Sequence, residues 1–397
     1  MTKPIQKILF GSPGTGKSHE IKEVIAFKLG VEVTSKNYIP TVFHPEYTYG
    51  DFMGKLMPLT DDSGKVSYKF YAGHFLKALG IAYKNLINSA IQYDKDKKET
   101  LSEYKREIGI TKQDDFSPDQ TQELERRYAL VTRNTQDVLL VIDEINRGNS
   151  AAIFGTVFQL LDRKSNGWSE YPVLLSDLEA TTLLKEIGLT KKLEAGSTEY
   201  SYKETPTSTK VVLEEKDWKK YLDYIISDLS GKDRFDMNDN YIKIPSNLSI
   251  VATMNTSDNS IYFMDSAFKR RWDWEFIEIE DEKQREKLKD CKISLYGQDK
   301  LEWCDFVDKL NTFIRSKHKE IRKIEDKQIG YRFINKPTIT EVEIKNKLMF
   351  FIWDSVFSNN KKPLVELLGV SESELVTFGQ FTAKAQVQNF VDKILNR

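Results

Sequence analysis

Eight consecutive residues, Gly11-Ser12-Pro13-Gly14-Thr15-Gly16-Lys17-Ser18, carry the spacing of a phosphate-binding loop at every required position. Gly11, Gly14 and Gly16 let the backbone wrap an anion with its N–H groups, while Ser12, Pro13 and Thr15 complete the turn. Lys17 is placed to reach the β- and γ-phosphates of a nucleoside triphosphate, and Ser18 to ligate magnesium. The apolar run Ile8-Leu9-Phe10 ahead of the loop reads as a strand. Residues 18–29 behind it read as a helix whose positive end would face the anion.

A second run, Val138-Leu139-Leu140-Val141-Ile142, has the continuous apolar character of a strand buried on both faces in a parallel sheet. It delivers Asp143 and Glu144 at its carboxyl end, where α/β folds bind ligands. Asp143 would hold magnesium through water, and Glu144 would act as general base on the attacking water. A third strand at 248–253 leads into Asn255, which either orients that water or simply turns the chain. Lys269-Arg270-Arg271 closes a helix expected to start near Asp265. These residues either complement the helix dipole or supply an arginine finger to a neighbouring subunit.

The elements around these residues alternate between strand and helix, which predicts an α/β fold: a three-layer core on a parallel sheet. Residues 38–43 read as a second strand, 49–71 as an excursion and 75–91 as a helix. Residues 93–136 read as a polar, helical surface insertion, and 150–161 as a helix. Residues 166–241 read as a second insertion with a helix-like piece at 214–226. Trp272, Trp274 and Phe276 alternate with acidic residues, as in a half-buried strand. Beyond residue 281 the pattern is helical. The expected domains are a nucleotide-binding domain at 1–280 and a helical C-terminal lid domain at 281–397.

Composition narrows the function. The 59 Lys and Arg and 60 Asp and Glu cancel to a net charge of −1, which argues against a wholesale electrostatic nucleic-acid binder but leaves room for a local basic face. Two cysteines, Cys291 and Cys304, and four histidines make neither a disulfide framework nor a good zinc site. No run approaches the roughly twenty apolar residues that span a bilayer, and no signal-peptide pattern opens the chain. The expectation is a soluble cytoplasmic protein that does not engage a membrane.

Taken together, these residues resemble the McrB family of AAA+ proteins, the nucleotide-driven motor subunits of modification-dependent restriction systems. Four segments carry the resemblance: the phosphate loop, Phe43-His44-Pro45-Glu46-Tyr47-Thr48-Tyr49-Gly50-Asp51-Phe52, Asp143-Glu144-Ile145-Asn146-Arg147-Gly148, and Met254-Asn255-Thr256-Ser257-Asp258. It implies a AAA+ P-loop fold, GTP or ATP as substrate with magnesium, and a ring, most simply a hexamer. It also implies a separate McrC-like or other nuclease subunit, with DNA engaged through the complex. By the same resemblance Asn255 is the sensor residue, and Asp258 positions the catalytic water with Glu144. Arg270 and Arg271 reach across the subunit boundary, and Arg147 lies near it. Arg332, in Gln328-Ile329-Gly330-Tyr331-Arg332-Phe333, either senses nucleotide or belongs to a simple turn. Two departures stand out. Asn259 occupies the place where the family usually has arginine. The loop also lies so near the start of the sequence that target choice is expected in the insertions, the C-terminal domain or another protein. A MoxR-like remodelling ATPase, which would act as a chaperone, is the alternative reading, and a slowly hydrolysing nucleotide-switched scaffold is a third.

Overall fold

The computed structural model describes residues 3–112, 116–194, 197–202, 211–213, 240–255, 262–279 and 281–397. The chain is a mixed α/β protein. Its largest sheet comprises β1 (Gln6–Gly11), β2 (Tyr38–Val42), β3 (Val138–Asp143), β4 (Leu248–Asn255) and β5 (Asp273–Phe276), in the order β5-β1-β4-β3-β2. Strand β3 lies between two parallel neighbours, with Leu248 of β4 opposite Val138 and Val42 of β2 opposite Asp143. Its first five residues are buried, as an unbroken apolar strand requires. The chain leaves β1, crosses to the far edge at β2, returns through β3 and β4, and then passes to the opposite edge at β5.

Contacts divide the described residues into two units. One takes Met1–Lys7, Ile21–Ala252 and Tyr262–Asp273. The other takes Ile8–Glu20, Thr253–Ile261 and Trp274–Arg397.

In the first unit the aromatic rings of Phe43, Phe52, Phe154, Phe268 and Trp272 pack on one another. The helix His74–Ile108 buries Phe75, Leu79, Tyr83, Leu86 and Ala90 at helical spacing and then runs on as a polar rod. The helix Pro118–Leu130, capped by Ser117, folds back on that rod. Arg127 pairs with Glu107 at 2.8 Å and lies over the Tyr104 ring. Residues 93–136 are thus largely helical. Of the segment 166–241, residues 203–210 and 214–239, including the helix-like piece at 214–226, lie outside the described residues.

In the second unit the helices Trp303–Ser316 and Lys384–Leu395 share a core in which Phe306 meets Phe390. The region expected to be helical also carries a small sheet. Strand Lys292–Leu295 pairs with Gln298–Glu302 on one side and Thr338–Thr340 on the other. Among the residues of that small sheet whose burial is described, Ile293, Leu295 and Ile339 are buried, at an alternation too short to stand out among charged neighbours. The expected half-buried aromatic face at 272–276 is corrected. Trp272 is buried ahead of the strand, whereas Trp274 and Phe276 are 37% and 53% exposed. An edge strand has a neighbour on one side only, and these two rings rest against Phe10.

Cys291 and Cys304 are free and buried, and burial pushes the Cys304 thiol up to about 11. Among the described residues, no helix is long and apolar enough to cross a membrane, and no three His, Cys, Asp or Glu side chains gather into a metal-binding cluster.

Candidate functional site

The glycine-rich loop at 11–18 follows β1 directly and is held from outside by residues far along the chain. Gly330 N–H donates to Pro13 O at 2.9 Å, Arg332 N–H to Gly14 O at 2.9 Å, and Gln284 Nε2 to Thr15 O at 2.6 Å. The C=O and N–H of a trans peptide point in opposite directions. Three carbonyls fixed on one side therefore turn the N–H groups of Gly14, Thr15 and Gly16 toward the other, a row of donors of the kind that receives an anion. Ser12 contributes to the same arrangement, its Oγ donating to Glu325 O at 2.7 Å, and Thr15 Oγ1 closes the turn on Ser12 O.

Two glycines are needed for identifiable reasons. Gly14 has φ 77°, and a Cβ there would sit 2.6 Å from the backbone of Phe333. Gly16, at φ 90°, caps the following helix, and a Cβ there would fall 2.7 Å from Gln284 Oε1. The helix runs over 17–28, with Glu20–Ile25 wound in the wider π register. Lys17 is buried, and its ammonium donates to Gly11 O and Ser12 O, both at 2.9 Å. Ser18 is exposed at the first turn.

Asp143 closes β3 half-buried, and its carbonyl accepts from Phe43 N at 2.9 Å, which carries the pairing with β2 one residue further. Glu144, next in the chain, sits at φ 55°. This left-handed conformation costs a residue with a Cβ of the order of 1 kcal/mol and concentrates at functional sites. The turn behind it is locked. Asn146 is fully buried with its carbonyl accepting from Tyr262 N, and Ser150 Oγ donates to Ile145 O at 2.5 Å. A Ser18 hydroxyl and an Asp143 carboxylate are oxygen donors of the type magnesium takes alongside phosphate oxygens and water. Asn255 ends β4 half-buried, and Asp258 lies outside the described residues.

The two arginines part company. Arg271 is held within its own unit. It pairs with Asp162 at 2.7 and 3.0 Å, donates to Ala267 O, and stacks over the Phe158 ring at 4.5 Å. Arg270 is exposed and forms no ion pair among the described residues.

A search of family models gives no match for this chain. Over 380 residues the chain is 29% identical to the Type II restriction enzyme BsuMI component YdiS of Bacillus subtilis (strain 168). That match covers 94% of this chain and 85% of the relative.

Sequence reasoning missed most of what holds the loop. Gln284 and Glu325 carry no motif, because one acts through a lone amide and the other through a backbone carbonyl. For Arg332 the sequence offers either a nucleotide-sensing side chain or a simple turn. The structure uses its backbone N–H on Gly14, and its Nε is buried with no hydrogen-bond partner among the described residues. The segment at 43–52 is a packing motif. Phe43 and Phe52 join the aromatic cluster, and Tyr47 bonds His74 at 2.8 Å, with burial pushing its hydroxyl up to about 12.

Proposed function

We propose that this chain is a magnesium-dependent nucleoside triphosphatase of the AAA+ type, hydrolysing GTP or ATP as the motor component of a DNA restriction system. The observation that carries the reading is the phosphate loop, whose three outer carbonyls are tied down so that consecutive N–H groups turn the other way. In this reading those N–H groups and Lys17 hold the triphosphate. Ser18 and Asp143 hold magnesium, Glu144 activates water, and Asn255 orients it. Similarity to a component of a Type II restriction enzyme supports placing the chain in a restriction system beside further subunits, one of them a nuclease.

Arg270 is the better arginine finger of the pair, because Arg271 already has a carboxylate and a ring to satisfy it. A finger acting across a subunit boundary implies a ring, most simply a hexamer. The test combines two variants of the full chain. Lys17→Ala should abolish nucleotide binding by isothermal titration while the protein remains folded. Arg270→Ala should bind nucleotide but turn over about a thousandfold slower, the usual cost of a lost finger. Mixed, the two should partly recover activity, because some interfaces pair an intact loop with an intact arginine. Unchanged nucleotide affinity in a folded Lys17→Ala protein would sink the assignment. A co-assembled but dead mixture would remove the finger.

A further inference from the structure

Away from the phosphate loop, the second unit carries a cavity of about 540 Å³ walled by the turn after helix Trp303–Ser316 and by residues 355–360. Arg322, Lys323 and Lys327 stand around it, with Ser358 and Asn359 on the facing turn, and Glu320 is the one acidic residue of the wall. Among the described residues none of the three cations forms an ion pair, in contrast to nearby Lys317, which has Glu366 at 2.7 Å. Three cations thus line one wall against a single carboxylate, that of Glu320. Lys323 also sits at φ 53°, a strained conformation for a residue with a side chain. The chain thus bends unfavourably at the position that presents its middle cation.

The cavity's chemistry selects a ligand. Its apolar members Ile321, Val356 and Phe357 are buried at 6%, 5% and 2% exposure, so they offer little surface for anchoring the side chains of a peptide. What the wall offers is cationic heads, the hydroxyls of Ser355 and Ser358 and the amides of Asn359 and Asn360, the groups that contact phosphate oxygens. The turn is also tied to the phosphate loop, since Glu325, two residues beyond Lys323, supplies the carbonyl that Ser12 Oγ binds.

We infer that Arg322, Lys323 and Lys327 form a second phosphate-binding site, one that takes the backbone of duplex DNA. The choice of DNA rests on the restriction-system reading above. The phosphate chemistry rests on the cavity alone.

The test is fluorescence anisotropy of a labelled duplex of arbitrary sequence with the full chain, without nucleotide and with salt titrated. A dissociation constant of about 10⁻⁴ to 10⁻⁶ M is expected, the range of sequence-independent binding. Arg322→Glu/Lys323→Glu should weaken binding at least about tenfold. It should also flatten the slope of log affinity against log salt by about two, since each neutralised phosphate contributes about 0.9. Lys323→Gln and Lys327→Gln, milder changes that spare the fold, should each flatten it by about one. Unlabelled tripolyphosphate and polyglutamate serve as competitors. If the variants bind and respond to salt as the wild type does, or if the wild type fails to bind duplex at low salt, the site is wrong. If tripolyphosphate saturates the cavity while duplex does not displace it, the phosphate chemistry stands and DNA is overturned as its source. If polyglutamate outcompetes duplex, the ligand is an acidic protein segment and the proposal fails. None of these readings requires hydrolysis, so they stay separable from failure of the triphosphatase assignment.

Discussion

The glycine-rich loop and the acidic turn at Asp143–Glu144 are held by opposite strategies. The loop is a local sequence whose shape is imposed from far along the chain. Gln284, Glu325, Gly330 and Arg332 each take or give one hydrogen bond to residues 12–15. The acidic turn receives its position from strand register. Val42 lies opposite Asp143, and the strain at Glu144 is stored in a single dihedral. A clamped loop spreads its dependence over many weak bonds. A strained turn concentrates it in one residue. Variants of the two regions should therefore fail in different ways, one losing affinity by degrees and the other losing chemistry at a stroke.

The largest expected effect tests the concentrated end. Glu144→Gln should bind nucleotide normally and turn over at least on the order of a hundredfold slower, the usual worth of a general base. Glu144→Gly should be equally inactive but more stable, by about 1 kcal/mol, because glycine removes the penalty of the left-handed conformation. Thermal unfolding beside steady-state hydrolysis reads both. A less stable glycine variant would mean that the dihedral is not strained, and near-normal turnover of the glutamine variant would move catalysis elsewhere.

The same contrast explains what was legible in the sequence. Gly11 to Ser18 and the run ending at Asp143 declare themselves because their requirements are local: small residues in a turn, then apolar residues that end in carboxylates. The parallel pairing of β3 with its neighbours follows from that continuous burial. The clamp was not legible. A carbonyl such as that of Glu325 has no residue type to betray it, and Gln284 lies 269 positions from the atom it binds. The exposed face of Trp274 and Phe276 escapes the sequence for a related reason, since alternation shows which side chains share a face but not whether anything covers that face. Arg270 and Arg271 look interchangeable in sequence. Asp162 and Phe158 distinguish them, and both lie more than a hundred residues earlier.

Gly330→Ala probes the clamp at its tightest point. Gly330 has an ordinary φ of −86°, so the backbone itself tolerates alanine. The new methyl, however, would sit 2.6 Å from Thr15 Cα and closer still to Gly14 O. Overpacking of this kind costs about 1–3 kcal/mol, relieved only if residues 330–333 and the loop separate. Nucleotide affinity should fall about ten- to a hundredfold, measured by isothermal titration. Full affinity in this variant would show that the outer bonds do not shape the loop.

The smallest expected effect isolates one bond. Gln284 is 8% exposed, and its Nε2 reaches Thr15 O, so its amide both fills space beside Gly16 and donates to the loop. Gln284→Leu keeps most of the volume and removes the donor, leaving a carbonyl in poor surroundings at a cost of about 1 kcal/mol, or about fivefold in nucleotide affinity. Gln284→Glu separates the two roles. Its shape is closer to glutamine than leucine's is, so a pure packing role ranks glutamate above leucine. A carboxylate facing a carbonyl oxygen repels it, so a positioning role ranks glutamate below. Titrating nucleotide into all three proteins should give the order Gln, Leu, Glu. The order Gln, Glu, Leu would reduce Gln284 to filler and leave the backbone bonds of Gly330 and Arg332 to hold the loop.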